Sequence, residues 1–223
     1  KYPQIEFTTE EIIDTITTEE IITQILPITL YFRNDEPDAS TLATTTKQNY
    51  MSTYKLYVDR YDYYKKEVAK GLRDNESKKL IIELEKFFKE EVDRGATDLE
   101  KFKSMVLDEL KTGSTVSLFI RGFASPVANT AYNVNLTKRR ISSLINYFKE
   151  VDEGVFNQYL GNDSDSTGKL IFSSAPFGEY AADQSTSDDI VIQNESVFSK
   201  SAGIERKIEI ESVTIKRNKF IFP

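Results

Sequence analysis

Three consecutive cations, Lys138, Arg139 and Arg140, follow a strand-like run and a polar loop in the middle of the chain. The strand is predicted at 116–120, where β-branched and apolar residues are clustered. Apolar residues spaced three and four apart predict a helix after the loop: Ile141, Leu144, Ile145, Phe148 and Val151. With Thr137 as N-cap, the helix would carry the cations in its first turn, against its dipole. The sequence therefore predicts an anion site at the helix entrance.

The chain contains no histidine and no cysteine. Ser-His and Cys-His catalysis, His-ligated metals, thiolate sites and disulfide bonds are thereby excluded. Ser125 and Lys138 lie in no motif that supports serine–lysine chemistry. The loop at 161–169 is no P-loop, since six residues separate its glycines, and its two aspartates belong to no full calcium-loop pattern. We expect no enzyme, no cofactor and no metal site.

Length and composition favour one ordinary domain with an insertion or extension. The 223 residues are 29% charged and 39% hydrophobic, and no apolar run is long enough to span a bilayer. A formal net charge of −7 argues against broad nucleic-acid binding. The sequence begins at Lys1 and shows no signal peptide, so we expect a mature form or an excised fragment.

Residues 1–26 contain a tandem duplication, TTEEIIDTI at 8–16 followed by TTEEIITQI at 17–25. A nine-residue offset turns an ideal helix by half a revolution and exchanges the two faces of a strand, so the two isoleucine sets cannot share one buried face. Because Thr and Ile favour strands, we expect an acidic, partly extended linker or tether.

The next segments predict a buried strand at 27–32, a polar turn at 33–38 and then three helices. The helices are predicted at 41–70, at 76–94 with a stop at Gly95, and from a capping box at Thr97 and Glu100 to a stop at Gly113. Residues 38–95 are interpreted as a helical-hairpin insertion lying to the side of the domain. Its deletion is expected to leave a folded core.

Tyrosines recur along the first of these helices at helical spacing: Tyr50, Tyr54, Tyr57, Tyr61 and Tyr64. Such a stripe is more often a core or helix–helix contact than a sugar-binding platform. The stripe is also longer than one neighbouring helix usually covers, so part of it is expected to serve a protein partner.

Two more strands are predicted near the C-terminus, at 169–174 and 205–210, the second as an edge or half-buried strand. An acidic, serine-rich excursion at 181–199 separates them, and 217–223 forms a C-terminal tail. The predicted fold class is α+β, with a mixed sheet of about four strands and two helices packed on one face.

The central stretch resembles OmpA-like peptidoglycan-binding domains, whose signature is roughly G-H-T-D-x-x-G-x-x-x-Y-N-x-x-L-S-x-x-R. The matching residues are Gly122, Tyr132, Asn133, Leu136, Thr137, Arg139 and Arg140. The signature's His-Thr-Asp is replaced by Phe123, Ala124 and Ser125. The turn at 177–179 and the segment ERKIEI at 205–210 resemble the family's G-x-G-E turn and N-R-R-V-E-I strand. In all, the resemblance covers 27–36 and about 97–215.

The resemblance implies a β-α-β-α-β-β mixed sheet formed by 27–37 and 96–216. It implies a non-catalytic, periplasmic, outer-membrane-associated module that anchors its protein to peptidoglycan by binding the diaminopimelate of the stem peptide. The ligand-binding residues that it implies are Arg140, Ser125, Asn133 and Tyr132. Because Ser125 replaces the family's Asp, a nearby acid is expected to compensate, the candidates being Asp35, Glu179 and Glu205.

Two alternatives stay open. Arg140 could instead pair with an acid of its own chain, Asp35, Glu36 or Glu205. The domain could also have lost wall binding and serve as a scaffold that engages an envelope protein partner through the helical insertion.

Overall fold

Four strands form one mixed sheet in the part of the chain that the computed structural model describes, residues 18–126, 128–161, 168–178, 189 and 191–217. The strands are β1 (Ile28–Tyr31), β2 (Thr115–Phe123), β3 (Lys169–Gly178) and β4 (Lys207–Lys216), in the spatial order β1-β4-β2-β3. β4 is antiparallel to both β1 and β2, whereas β2 and β3 are parallel. β1, β2 and β3 therefore run in one direction, and their C-terminal ends lie at one edge of the sheet.

The predicted α+β class with a mixed sheet of about four strands is confirmed. β4 was predicted as an edge or half-buried strand; it is half-buried but lies between β1 and β2, not at the edge. The helices are α1 (Thr18–Ile25), α2 (Tyr50–Val58), α3 (Tyr61–Val68), α4 (Asp74–Phe87), α5 (Asp93–Lys111), α6 (Thr130–Gly154), α7 (Gln193–Ser196) and α8 (Lys200–Glu205).

The main core lies between the sheet and the two long helices α5 and α6. Alternate residues of β2, among them Leu118 and Ile120, are fully buried on the face that both helices cover. Phe102 of α5 and Phe148 of α6 belong to the same apolar cluster, each with no exposed surface. Burial of each such side chain stabilises the fold by about 1.5–3 kcal/mol.

A second core holds α2, α3 and α4 against the sheet. Tyr57 and Tyr64 meet edge to face at 5.4 Å and pack with Phe88, while Phe198 closes the cluster from the C-terminal segment. Tyr50 is also fully buried. Three of the five tyrosines of the stripe are therefore core, while Tyr54 and Tyr61 are half-buried. That part of the stripe serves a protein partner stays a prediction.

Three helix predictions in this region were wrong. The helix expected at 41–70 is two helices, α2 and α3, preceded by an irregular segment at 39–49. The stop at Gly95 and the capping box at Thr97 do not occur, because α4 continues through a π-helical turn (Phe88–Val92) into α5. The Thr97 hydroxyl donates within the helix to the carbonyl oxygen of Asp93 at 2.9 Å. The boundary between 95 and 96 thus falls inside a continuous helix, while the separability of 38–95 stays a prediction.

The second repeat at 17–25 is helical from Thr18, not extended, and Ile22 is buried in the main core. The first repeat, the two aspartates of the 161–169 loop, Glu179 and residues 218–223 lie outside the described residues. Arg217 is described and pairs with Glu109 at 2.8 Å. Among the described helices, none has the length and apolar character needed to cross a bilayer.

Candidate ligand-binding site

Helix α6 begins eight residues earlier than the sequence predicts. Its N-cap is Asn129, whose side-chain oxygen accepts a hydrogen bond from the backbone N–H of Tyr132 at 2.9 Å. Thr137 lies within the helix and donates to the carbonyl oxygen of Val134 at 2.8 Å. Lys138 and the two arginines therefore lie about two turns into the helix, beyond the reach of its terminal dipole. The prediction that the cations lie in the first turn of the helix was wrong, whereas the anion site itself stays a prediction.

Arg139 holds the segment that follows β1 against α6. Its guanidinium donates to the carbonyl oxygens of Pro37 at 3.0 Å, Thr41 at 2.8 Å and Ala43 at 2.8 Å. It also lies over the ring of Tyr132, 5.3 Å from the centroid. All three carbonyls belong to a loop that forms no helix or strand. The fully buried Arg139 side chain therefore supplies the hydrogen-bond donors that regular secondary structure would otherwise provide to them.

Arg140 is likewise fully buried, at the C-terminal edge of the sheet. Its Nε donates to the carbonyl oxygen of Glu36 at 3.1 Å and its Nη1 to that of Phe123 at 2.8 Å. The guanidinium lies 5.3 Å from the ring centroid of Phe32. Its Nη2 has no hydrogen-bond partner among the described residues. Two nitrogens of this cation are thus fixed by backbone carbonyls, while the third is buried without a hydrogen-bond partner among the described residues.

The charge of Arg140 is not neutralised by a neighbouring acid. Burial and the proximity of Arg206 lower the pKa of Arg140, and only the attraction of Asp35 among the acids opposes them appreciably. Within the described residues Arg140 forms no ion pair, so the alternative in which it pairs with Asp35, Glu36 or Glu205 is not found; Glu36 pairs with Arg33 instead. Because a buried unpaired guanidinium is costly, the site favours an anionic ligand.

A cavity of about 360 Å³ opens beside Arg140. Its lining includes all four predicted ligand-binding residues and one predicted acid: Arg140, Ser125, Asn133, Tyr132 and Asp35. They meet because the loops after β1 and β2 leave the same edge of the sheet, where α6 begins. Glu205, at the end of α8, is not part of this lining. Glu179 lies outside the described residues.

Asp35 supplies a negative charge to the same cavity. It accepts hydrogen bonds from the Tyr132 hydroxyl and, at 2.9 Å, from the backbone N–H of Ser40. Burial and this contact with Asp35 raise the pKa of Tyr132. A carboxylate offers about four acceptor positions, so Asp35 can still accept from a ligand cation.

Ser125 and Asn133 shape the wall between β2 and α6. Ser125 is only 5% exposed, and the Asn133 side-chain amide donates to the carbonyl oxygen of Ala128 at 2.9 Å. Sequence reasoning missed Asn34, Ser40 and Leu136 as lining residues. Ser40 carried no signal, because only the folded loop, with its φ of +59°, brings its N–H to Asp35.

No family model, curated protein or solved structure matches this chain. Function must therefore be inferred from the chemistry of the site. The cavity combines a buried cation with an acid at its wall, a combination that suits a zwitterion such as an amino acid. No cluster of three acidic residues positioned for a metal ion occurs in the described portion.

Proposed function

We propose that this chain is a non-catalytic periplasmic module that anchors an outer-membrane protein or assembly to the cell wall. It binds the diaminopimelate residue of the peptidoglycan stem peptide in the cavity beside Arg140. The observation that carries the proposal is the Arg140 guanidinium, which is fully buried, lines the cavity and keeps Nη2 without a partner among the described residues. A ligand carboxylate would satisfy that nitrogen and offset the buried charge.

The arrangement of Arg140 refines how the carboxylate would be held. Nε and Nη1 each donate one N–H to a backbone carbonyl, which leaves one N–H on Nη1 and two on Nη2. The ligand carboxylate would accept from Nη2, the nitrogen that has no partner among the described residues. The backbone bonds in turn fix the guanidinium before the ligand arrives, which lowers the entropy lost on binding.

Asp35, which lines the same cavity as Arg140, also supports the proposal. Diaminopimelate carries an ammonium group next to each carboxylate, and a carboxylate partner gives a charge-assisted hydrogen bond about twice as strong as a neutral one. Ser125 offers only the neutral bond. We infer that Asp35 takes the role of the acid that the family carries at the position of Ser125.

The chain order of the large elements also agrees with the family resemblance. β1, α5, β2, α6, β3 and β4 follow one another as β-α-β-α-β-β, with α2–α4 added after β1. Gly122 of the signature lies under α6, where an added Cβ would be 3.1 Å from Thr137 and from Ile141. A glycine there lets the helix approach β2 closely.

Pull-down on purified peptidoglycan, with free diaminopimelate as competitor, tests the proposal. We expect the parent to bind and the competitor to release it. Arg140→Ala should abolish binding, whereas Lys138→Ala, which removes an exposed cation from the same helix, should not change it. Circular dichroism of each variant establishes that it is folded. Absence of binding by the parent, or equal binding by folded Arg140→Ala, would overturn the proposal.

The second candidate function is a scaffold for an envelope protein partner. The replacement of the family's Asp by Ser125 favours it, because that change weakens the expected ligand contact by about 1–2 kcal/mol. Ser125→Asp separates the two functions. If neither the parent nor Ser125→Asp binds peptidoglycan, the scaffold function stands and the anchor function is rejected.

A further inference from the structure

A second cavity, of about 160 Å³, adjoins the first. Both cavities are lined by Asn34, which follows β1, so they lie on either side of one residue. The second cavity is formed by segments outside the sheet: the α2–α3 junction with Arg60, the start of α3 with Tyr63 and Tyr64, and the C-terminal segment with Phe198.

The floor of the second cavity is aromatic and closely packed. Phe198 meets Tyr64 edge to face at 5.0 Å and Tyr63 at 5.5 Å. Tyr64 and Phe198 are buried, whereas Tyr63 is 46% exposed at the rim. The Tyr64 hydroxyl accepts a hydrogen bond from the backbone N–H of Asn34 at 3.4 Å, which joins this floor to the wall of the first cavity.

The charge around the second cavity is positive. Two arginines line it, and none of the acids that the structure describes does. Arg33 pairs with Glu36, but Arg60 is exposed, lies 5.9 Å from the ring centroid of Tyr63, and forms no ion pair within the described residues. The cavity therefore has one uncompensated cation at its rim.

A third arginine lies behind the wall of this cavity. Arg206 is 1% exposed and donates from Nη2 to the carbonyl oxygen of the lining residue Val197 at 2.8 Å. Its Nε and Nη1 have no partner in the described part of the chain. Arg206 and Arg140 are close enough for each charge to disfavour the other, so positive potential continues from one cavity to the next.

We propose that the second cavity is a subsite for a second carboxylate of the same peptide whose diaminopimelate occupies the first cavity. This inference rests on the proposed function. Arg60 provides the contact, and the aromatic floor packs against the methylene groups that carry the carboxylate. One residue of extended peptide spans about 3.5 Å, so neighbouring residues reach cavities that share a single wall residue. The ligand class is thus an extended acidic peptide rather than a free amino acid.

Calorimetric titration tests this with three ligands: free diaminopimelate, a tripeptide in which glutamate precedes diaminopimelate, and the same tripeptide with the glutamate side chain amidated. For the parent we expect amidation to weaken binding by about threefold to fivefold, as for an exposed ion pair. Arg60→Ala should weaken binding of the acidic tripeptide by a similar factor, and the variant should bind the acidic and the amidated tripeptide equally well. Lys66→Ala, an exposed cation of α3 that does not line the cavity, should behave as the parent.

The two proposals fail differently in this experiment. If the parent binds free diaminopimelate but does not distinguish the two tripeptides, or if Arg60→Ala still distinguishes them, the subsite is rejected and the first site stands. If the parent binds neither diaminopimelate nor the acidic tripeptide, both are rejected. Because Arg60 is exposed, its replacement is not expected to unfold the protein.

Discussion

The Nη1 atom of Arg140 donates to the carbonyl oxygen of Phe123 at 2.8 Å, which joins the middle of α6 to the last residue of β2. A carbonyl can fix a guanidinium without neutralising it. The bond therefore orients the cation and leaves its charge for a ligand. An ion pair with a carboxylate of the protein would instead have neutralised the charge, so that less of it could attract a ligand.

Replacing Arg140 by Lys keeps the positive charge but removes the planar guanidinium, whose separate nitrogens donate in different directions. One ammonium cannot reach the carbonyls of Glu36 and Phe123 and also the cavity. We expect Arg140→Lys to lower the free energy of unfolding by about 2 kcal/mol and ligand affinity by about tenfold. Urea unfolding and calorimetry measure the two effects, with Lys138→Arg as the control. Binding at parental strength would show that the fixed fork is not required.

Asp35 should determine the preference for an ammonium-bearing ligand. We expect Asp35→Asn to weaken binding of diaminopimelate by about tenfold while leaving pimelate, the same dicarboxylate without ammonium groups, unchanged. Adding Ser125→Asp should restore the preference. Glu36→Gln is a matched control, because Glu36 is the next residue but does not line the cavity. A preference that survives Asp35→Asn would exclude Asp35 as the partner.

The sheet could be predicted from the sequence because its strands carry their own signals. β-branched and alternating apolar runs placed all four strands within a few residues of their starts. The stop at Gly113 was also predicted correctly, since its φ of +86° is one that glycine adopts readily. These signals are local and depend on neighbouring residues alone.

For the candidate site, the sequence predicted several residues that line the cavity but not the contacts that hold them in place. The sequence carries charges at Arg139 and Arg140, yet their burial depends on carbonyl oxygens about 100 positions away: the Arg139 bond to Pro37 spans 102 positions. The true start of α6 was missed because Thr137 was interpreted as its N-cap. In the structure the Thr137 hydroxyl instead donates within the helix, to the carbonyl oxygen of Val134.

Arg139 is expected to determine the order of the 37–43 loop. Its truncation removes the donor that the carbonyls of Pro37, Thr41 and Ala43 share. We expect Arg139→Ala to lower the free energy of unfolding by about 3 kcal/mol and to make the loop a site of proteolytic cleavage. Limited proteolysis with mass spectrometry tests this, with Lys138→Ala as the control. An uncleaved loop in a folded Arg139→Ala variant would contradict it.

Gly95 marks the place where the long helix crosses β1, and this contact argues against removing 38–95. A Cβ at Gly95 would lie 2.1 Å from the carbonyl oxygen of Thr29, which belongs to backbone and cannot turn away. We expect Gly95→Ala to destabilise the fold by about 3 kcal/mol, although alanine favours helices. The adjacent, exposed Arg94→Ala should change stability by less than about 0.5 kcal/mol. Chemical denaturation compares the two. Equal stability of both variants would mean that the helix can move away from β1.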